Sequence, residues 1–184
     1  MVGFQDAFVA LVADAALRRR FAAEPEGALD GYGLDGRARA ALRGIPLEAI
    51  ERFARSLVMK RWHELARVVP LTRRVSPRLR VHHRTWALEH PVRARDTVLS
   101  PGVAEALRAE GPLRDALADE GEAPYAADLW MLEVRRAAAR AGEPVPELAS
   151  RFSIVDIAAQ VDRGLLPIDP EPRPMRIRFE RRST

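Results

Sequence analysis

Between Pro46 and Pro70 the chain carries neither glycine nor proline, so nothing local interrupts a helix there, and the remaining segments have to be arranged around that run. Gly44-Ile45-Pro46 supplies a break followed by proline at a position where a first helical turn tolerates a missing N–H. Leu47, Ile50, Phe53, Leu57, Val58, Leu65 and Val68 recur at helical spacing on one face, with Glu48, Glu51, Arg52, Arg55, Lys60 and Arg67 opposite. This predicts one long amphipathic helix. After a short corner, Ser76-Pro77 forms an N-cap and first-turn pair. Val81, Trp86 and Leu88, with the stems of His82 and His83, carry a second helix to His90-Pro91.

The flanking segments also read as helices. Phe4, Phe8, Leu11, Val12, Ala15 and Phe21 predict a first helix over residues 4–21, with Arg18, Arg19 and Arg20 suited to its negative pole. Pro25 starts a short helix to about Asp30, ended by Gly31-Tyr32-Gly33-Leu34, and Asp35 caps another from Arg37 to Arg43. A loop is expected from Pro91 to Leu99. Ser100-Pro101 restarts a helix to about Glu110, Gly111-Pro112 breaks it, Leu113 and Leu117 suggest a short one, and Pro124 opens the last long helix, to Ala141.

Beyond the linker Gly142 to Pro146 the pattern changes. Residues 148–155 alternate loosely and carry Phe152, Ile154 and Val155. Asp156 is placed to cap a two-turn helix, Ile157 to Arg163, ended by Gly164. Pro167, Pro170, Pro172 and Pro174 enforce an extended segment, and Met175-Arg176-Ile177-Arg178-Phe179 alternates apolar and basic side chains as a strand with one wet face. The expected fold is mainly α, with seven to eight helices in a domain over 1–143 and a small strand, helix, strand element over 147–184 packed on it.

Composition narrows the function classes. With 184 residues and 47% apolar content a proper core is affordable in one domain. There is no cysteine, which removes disulfides and thiolate chemistry. No run is long and apolar enough for a membrane span, and Met1 to Asp6 lacks the basic start of a secretory signal, so the expected location is the cytoplasm. The net charge of +4 is almost wholly arginine, Lys60 being the sole lysine, and 26 acidic residues are interspersed. Nucleic-acid binding is therefore a third reading only.

No nucleophile elbow, phosphate loop, dinucleotide fingerprint or zinc-protease motif is present, and no catalytic residue is assigned. His82, His83 and His90 share a helix and His63 lies on the one before, so a small helical metal-dependent enzyme or dioxygenase subunit using the first three is an alternative reading. Trp130, beside Leu129 and Leu132, reads as core. Trp62 falls off the apolar stripe, and its exposure would mark a contact surface. Asp128 and Glu133 form a candidate carboxylate pair, to be bridged by Arg135 or Arg136. If Met175 to Phe179 lies at a sheet edge, its backbone can accept an extended peptide, with Arg176 and Arg178 favouring an acidic one; an ordinary closing strand is the plain alternative.

Several segments carry a resemblance to a known family. These are Leu57-Val58-Met59-Lys60-Arg61-Trp62-His63-Glu64-Leu65, Val69-Pro70-Leu71-Thr72, Trp86 with His90-Pro91, and Tyr125-Ala126-Ala127-Asp128-Leu129 with Glu133. Together they resemble the partner subunits of multinuclear non-heme iron oxidases, TIM-barrel enzymes that modify ribosomally made peptides, as in methanobactin biosynthesis. The resemblance implies a helical N-terminal part followed by a peptide-recognition element in the place of Arg151 to Phe179. It further implies that such a chain binds the oxidase and holds the leader of the precursor peptide by strand addition. On that basis Met175, Arg176, Ile177, Arg178 and Phe179 are the peptide-binding residues, and Trp62, Trp86 and His90 belong to the subunit interface or pack beside it. The chain would have no cofactor of its own, the iron residing in the partner enzyme. Leu17 to Leu34, with Phe21, Pro25, Gly33 and Leu34, is similar to a helical module shared by ring-cleaving dioxygenase small subunits and some precursor peptides. The absence of cysteine argues against this chain being a precursor.

Overall fold

The structure, a computed structural model, describes residues 2–91, 99–119 and 123–180. Among them are eleven helices and two short strands. They divide into two compact units, one made of residues 1–60 and 84–96, the other of 61–83 and 97–184. The boundary expected at the Gly142 to Pro146 linker falls inside the second unit, because the C-terminal element packs on the last long helix.

In the first unit the run read as one helix over 4–21 is two, α1 (Val2–Ala13) and α2 (Ala15–Ala23). Asp14 makes the break. Its backbone is extended and its carboxylate accepts from the N–H groups of Ala16 and Leu17, at 2.8 and 3.0 Å, as an N-cap. Arg18 folds back to donate to the carbonyls of Leu11 and Val12 at 3.0 and 2.6 Å, groups that the end of α1 leaves without helical partners. Burial lowers its pKa, against the opposing pull of Glu51 and Asp14. α3 (Pro25–Ala28) and α4 (Gly36–Arg43) follow, the latter capped by Asp35 through Ala38 N–H at 2.7 Å. Gly31 and Gly33 adopt positive φ between them. Leu11, Leu17, Phe21, Leu29, Leu42 and Ile50 sit at the centre of this unit's core.

The long helix is α5 (Leu47–Val68), and it faces its neighbours differently from the expected stripe. Ile50, Ala54, Val58, Trp62, Leu65 and Ala66 are buried along it, whereas Phe53 and Leu57 are 52% and 39% exposed. Hydropathy favours the larger phenylalanine and leucine. The helical row of every fourth residue instead carries the small Ala54 and the indole of Trp62 inward.

The corner after α5 is itself a helix, α6 (Pro70–Val75), and Ser76 Oγ accepts from Leu79 N–H at 3.1 Å to start α7 (Leu79–Glu89). The loop expected from Pro91 to Leu99 lies mostly outside the described residues. Then come α8 (Pro101–Arg108), α9 (Glu110–Asp119) and α10 (Ala126–Arg140). Gly111-Pro112 does not end a helix; it sits in the first turn of α9, where proline lacks no needed donor. Gly102 lies where α8 meets α5, and a Cβ there would press on the Glu64 backbone and on Val68 Cγ2.

The C-terminal element comprises β1 (Leu148–Ser150), α11 (Ile154–Asp162) and β2 (Met175–Ile177). The helix starts earlier than expected. Ser153 holds the cap position and its hydroxyl donates to Asp156, in the first turn, at 2.5 Å. β1 and β2 pair antiparallel as a two-stranded sheet, Leu148 opposite Ile177, Ala149 opposite Arg176 and Ser150 opposite Met175. No described helix is long and apolar enough to cross a membrane.

Candidate functional site

α10 is what positions the sheet. Trp130, fully buried, donates from Nε1 to the Glu110 carbonyl at 2.9 Å and locks α10 to α9. Arg135 reaches from the same helix to Glu110 Oε1 at 3.0 Å and to the carbonyls of Glu147 and Pro146 at 2.7 and 3.3 Å, so it holds the strand entering β1. At the other end of β1, Asp128 accepts from Ser150 Oγ at 2.7 Å and Arg151 N–H at 3.1 Å. Tyr125 packs edge-on against Phe152 and donates its hydroxyl to the Pro167 carbonyl at 3.2 Å, tying down the proline-rich approach to β2.

Pairing with β1 then decides what β2 presents. Leu148 and Ser150 are buried, and their partners Ile177 and Met175 are half-buried on the same face. The other face carries Ala149 and Arg176, and continuing the register brings Glu147 beside Arg178. Arg178 Nε donates to Glu147 at 3.0 Å and Arg176 Nη1 lies 3.6 Å from the other carboxylate oxygen. The two arginine side chains remain 81% and 90% exposed. The Arg178 hydrogen bond, with the nearby charges, lowers the Glu147 pKa. β2 ends at Ile177, two residues short of the strand expected to Phe179, and among the described residues no third strand joins the sheet. Among the described residues the outer edge of β2 is thus unpaired.

The aromatic and histidine candidates fall elsewhere. Trp62 and Trp86 are only 7% and 8% exposed, so the exposure that would make Trp62 a contact surface is not found. His90 is exposed, stacks on Trp86 with ring centroids 5.0 Å apart, and faces the Trp86 carbonyl through Nδ1 at 2.8 Å. His83 is fully buried beside Trp62 and donates from Nε2 to Glu105 at 2.8 Å. Among the described residues no three ligating side chains assemble into a metal-binding group.

Glu105 escaped the sequence reading. It is 1% exposed and accepts from His83, from Arg61 Nε at 2.9 Å and from Arg108 Nη2 at 2.5 Å. Burial pushes its pKa up, but the His83 hydrogen bond and the Arg61 and Arg108 charges outweigh that and hold it below the usual carboxylate range. Only Arg108, one helical turn away, was visible as a partner in sequence. Glu133 also departs from expectation, being bridged by neither Arg135 nor Arg136. Its carboxylate accepts from the N–H groups of Leu71 and Thr72, each at 2.8 Å, and from Thr72 Oγ1 at 2.7 Å, and so caps α6.

Comparison of the chain with protein-family models, with curated proteins and with solved structures gives no match.

Proposed function

We propose that this chain is a non-catalytic, cytoplasmic partner of a multinuclear non-heme iron oxidase that modifies ribosomally made peptides, and that it holds the precursor's leader. The observation that carries the reading is the open outer edge of β2, with Arg176 and Arg178 exposed beside it. An extended leader adds as a further strand, its main chain supplying affinity and its alternate side chains supplying selectivity. The strand, helix, strand element acts as the recognition unit, with Met175 and Ile177 half-buried on the face they share with Ser150 and Leu148 and the arginines on the wet face. The resemblance of Leu57 to Leu65, Val69 to Thr72 and Tyr125 to Glu133 to the partner-subunit family supports the same reading. Iron and oxidative chemistry belong to the other subunit. His90 is the exposed member of the interface set, with Trp86 packed beside it.

Co-expression with a multinuclear non-heme iron oxidase tests this, by sizing chromatography with iron measured across the peak. The expected result is a joint peak whose iron disappears when the oxidase is omitted. Separate elution, or iron travelling with this chain alone, would overturn the proposal.

A further inference from the structure

Glu147 occupies a position that bears on what the β2 edge selects. It precedes β1, opposite Arg178, and its two carboxylate oxygens engage Arg178 and Arg176 separately, at 3.0 and 3.6 Å. The residue opposite Arg176 is Ala149, too small to fill the space between, which leaves both guanidinium groups free to lean toward Glu147. A strand added on the far side of β2 would place its own alternate side chains beside the same two arginines, at the usual spacing between neighbouring strands. Arginine stems are long enough to swing to either side, and neither is held by burial. Glu147 and an acidic side chain of the incoming peptide therefore compete for the same pair of cations.

Resting on the docking reading above, we infer that Glu147 is a specificity-determining residue, an internal stand-in for the peptide's acidic side chains. When the edge is empty it neutralises Arg176 and Arg178. A peptide is favoured over others when it carries carboxylates at alternate positions that replace Glu147 on both arginines. A neutral peptide of the same shape gains only the main-chain ladder.

The test uses the full chain, wild type and Glu147→Gln, with two capped peptides in which valine alternates with glutamate or with glutamine, read by fluorescence anisotropy. Exposed ion pairs contribute little each, so releasing two of them should tighten the glutamate peptide about threefold or more in the variant. The glutamine peptide should bind both proteins equally, and the gain should vanish in molar salt. If both peptides bind but their affinity ratio is the same in the two proteins, the role of Glu147 is refuted while edge docking stands. If neither peptide binds either protein, the docking edge falls and this inference with it.

Discussion

Replacing Glu133 offers the sharpest check on how the second unit is held together. The carboxylate is 7% exposed and satisfies three donors on α6, two of them on the fully buried Thr72. α6 has no other help there: Val69 at its N-cap has no side-chain acceptor and Pro70 opens the helix. In Glu133→Ala, two N–H groups and a hydroxyl lose a charged acceptor, each worth about 1–3 kcal/mol when buried and left unmade. Against that stands the removed burden of a desolvated carboxylate. The balance is a loss of about 3 kcal/mol, above the roughly 1 kcal/mol of an ordinary exposed cap. Urea unfolding followed by tryptophan emission in a Trp86→Phe background reads the second unit, which holds Trp62 and Trp130. A loss under about 1 kcal/mol would refute the capping argument.

The same residue carries a pH signature with a definite sign. Burial raises the Glu133 pKa, and the hydrogen bonds from Thr72 and Leu71 offset this only in part. The folded state then binds more protons than the unfolded state between the ordinary glutamate value and the raised one. Stability from this group is fully present below the unfolded value and declines as pH rises through that interval. Glu105, whose pKa is lowered, does the reverse, contributing above its unfolded value and losing that contribution as pH falls through the lowered one. The stability difference between wild type and Glu133→Gln should therefore shrink with rising pH, and that for Glu105→Gln should grow. Slopes of the same sign would overturn the assignment of burial and pairing as the dominant effects.

Three further outcomes are expected. Gly102→Ala should destabilise by about 1–3 kcal/mol, because the new methyl meets the Glu64 backbone, which cannot yield as a side chain could; thermal unfolding measures it. Asp14→Ala should lose about 1 kcal/mol and Asp14→Asn much less, since asparagine keeps the capping oxygen; equal losses would mean the cap is not the cause. Successive residues of a strand point their N–H groups to opposite edges, so of Arg176→Pro and Ile177→Pro one strikes the outer edge and leaves the β1 pairing whole. That variant should lose peptide binding with unchanged circular dichroism, and retained binding in both would rule strand addition out.

Much of the fold was readable because helix-ending residues act locally. Gly44-Ile45-Pro46, Asp35 and Gly142 mark element ends in the structure as they do in the sequence. What was not readable depends on partners distant in the chain. The apolar spacing from Phe4 to Phe21 runs straight across the break at Asp14, since periodicity carries no information about a bend, and Arg18 looks solvated until the freed carbonyls of Leu11 and Val12 are seen beside it. β1 spans three residues of the eight that alternate, because the Ser150 hydroxyl accepts from Phe152 N–H and turns the chain. Glu105 draws Arg61 and His83 from separate helices, and no spacing rule links them.

β2 is marked in the sequence by a different kind of signal. The alternation of Met175 to Phe179 fixes which side chains share a face, and the prolines before it leave few donors to pair elsewhere. Whether that strand has an open edge is a property of the sheet, and only the pairing with β1 answers it. Helices satisfy their own backbone groups along their length, so a mainly helical chain recognises a partner's main chain best where it abandons the helix. In this chain the sheet is the place where the helix is abandoned, and it is held from several sides. Arg135 and Asp128 secure the two ends of β1 from one face of α10, while β2 is held by β1 and the tether at Pro167. Rigid support beneath an edge that is unpaired among the described residues lowers the ordering cost of adding a strand, and this combination, rather than the arginines alone, is what the proposed docking role rests on; an ordinary closing strand would bind no added peptide.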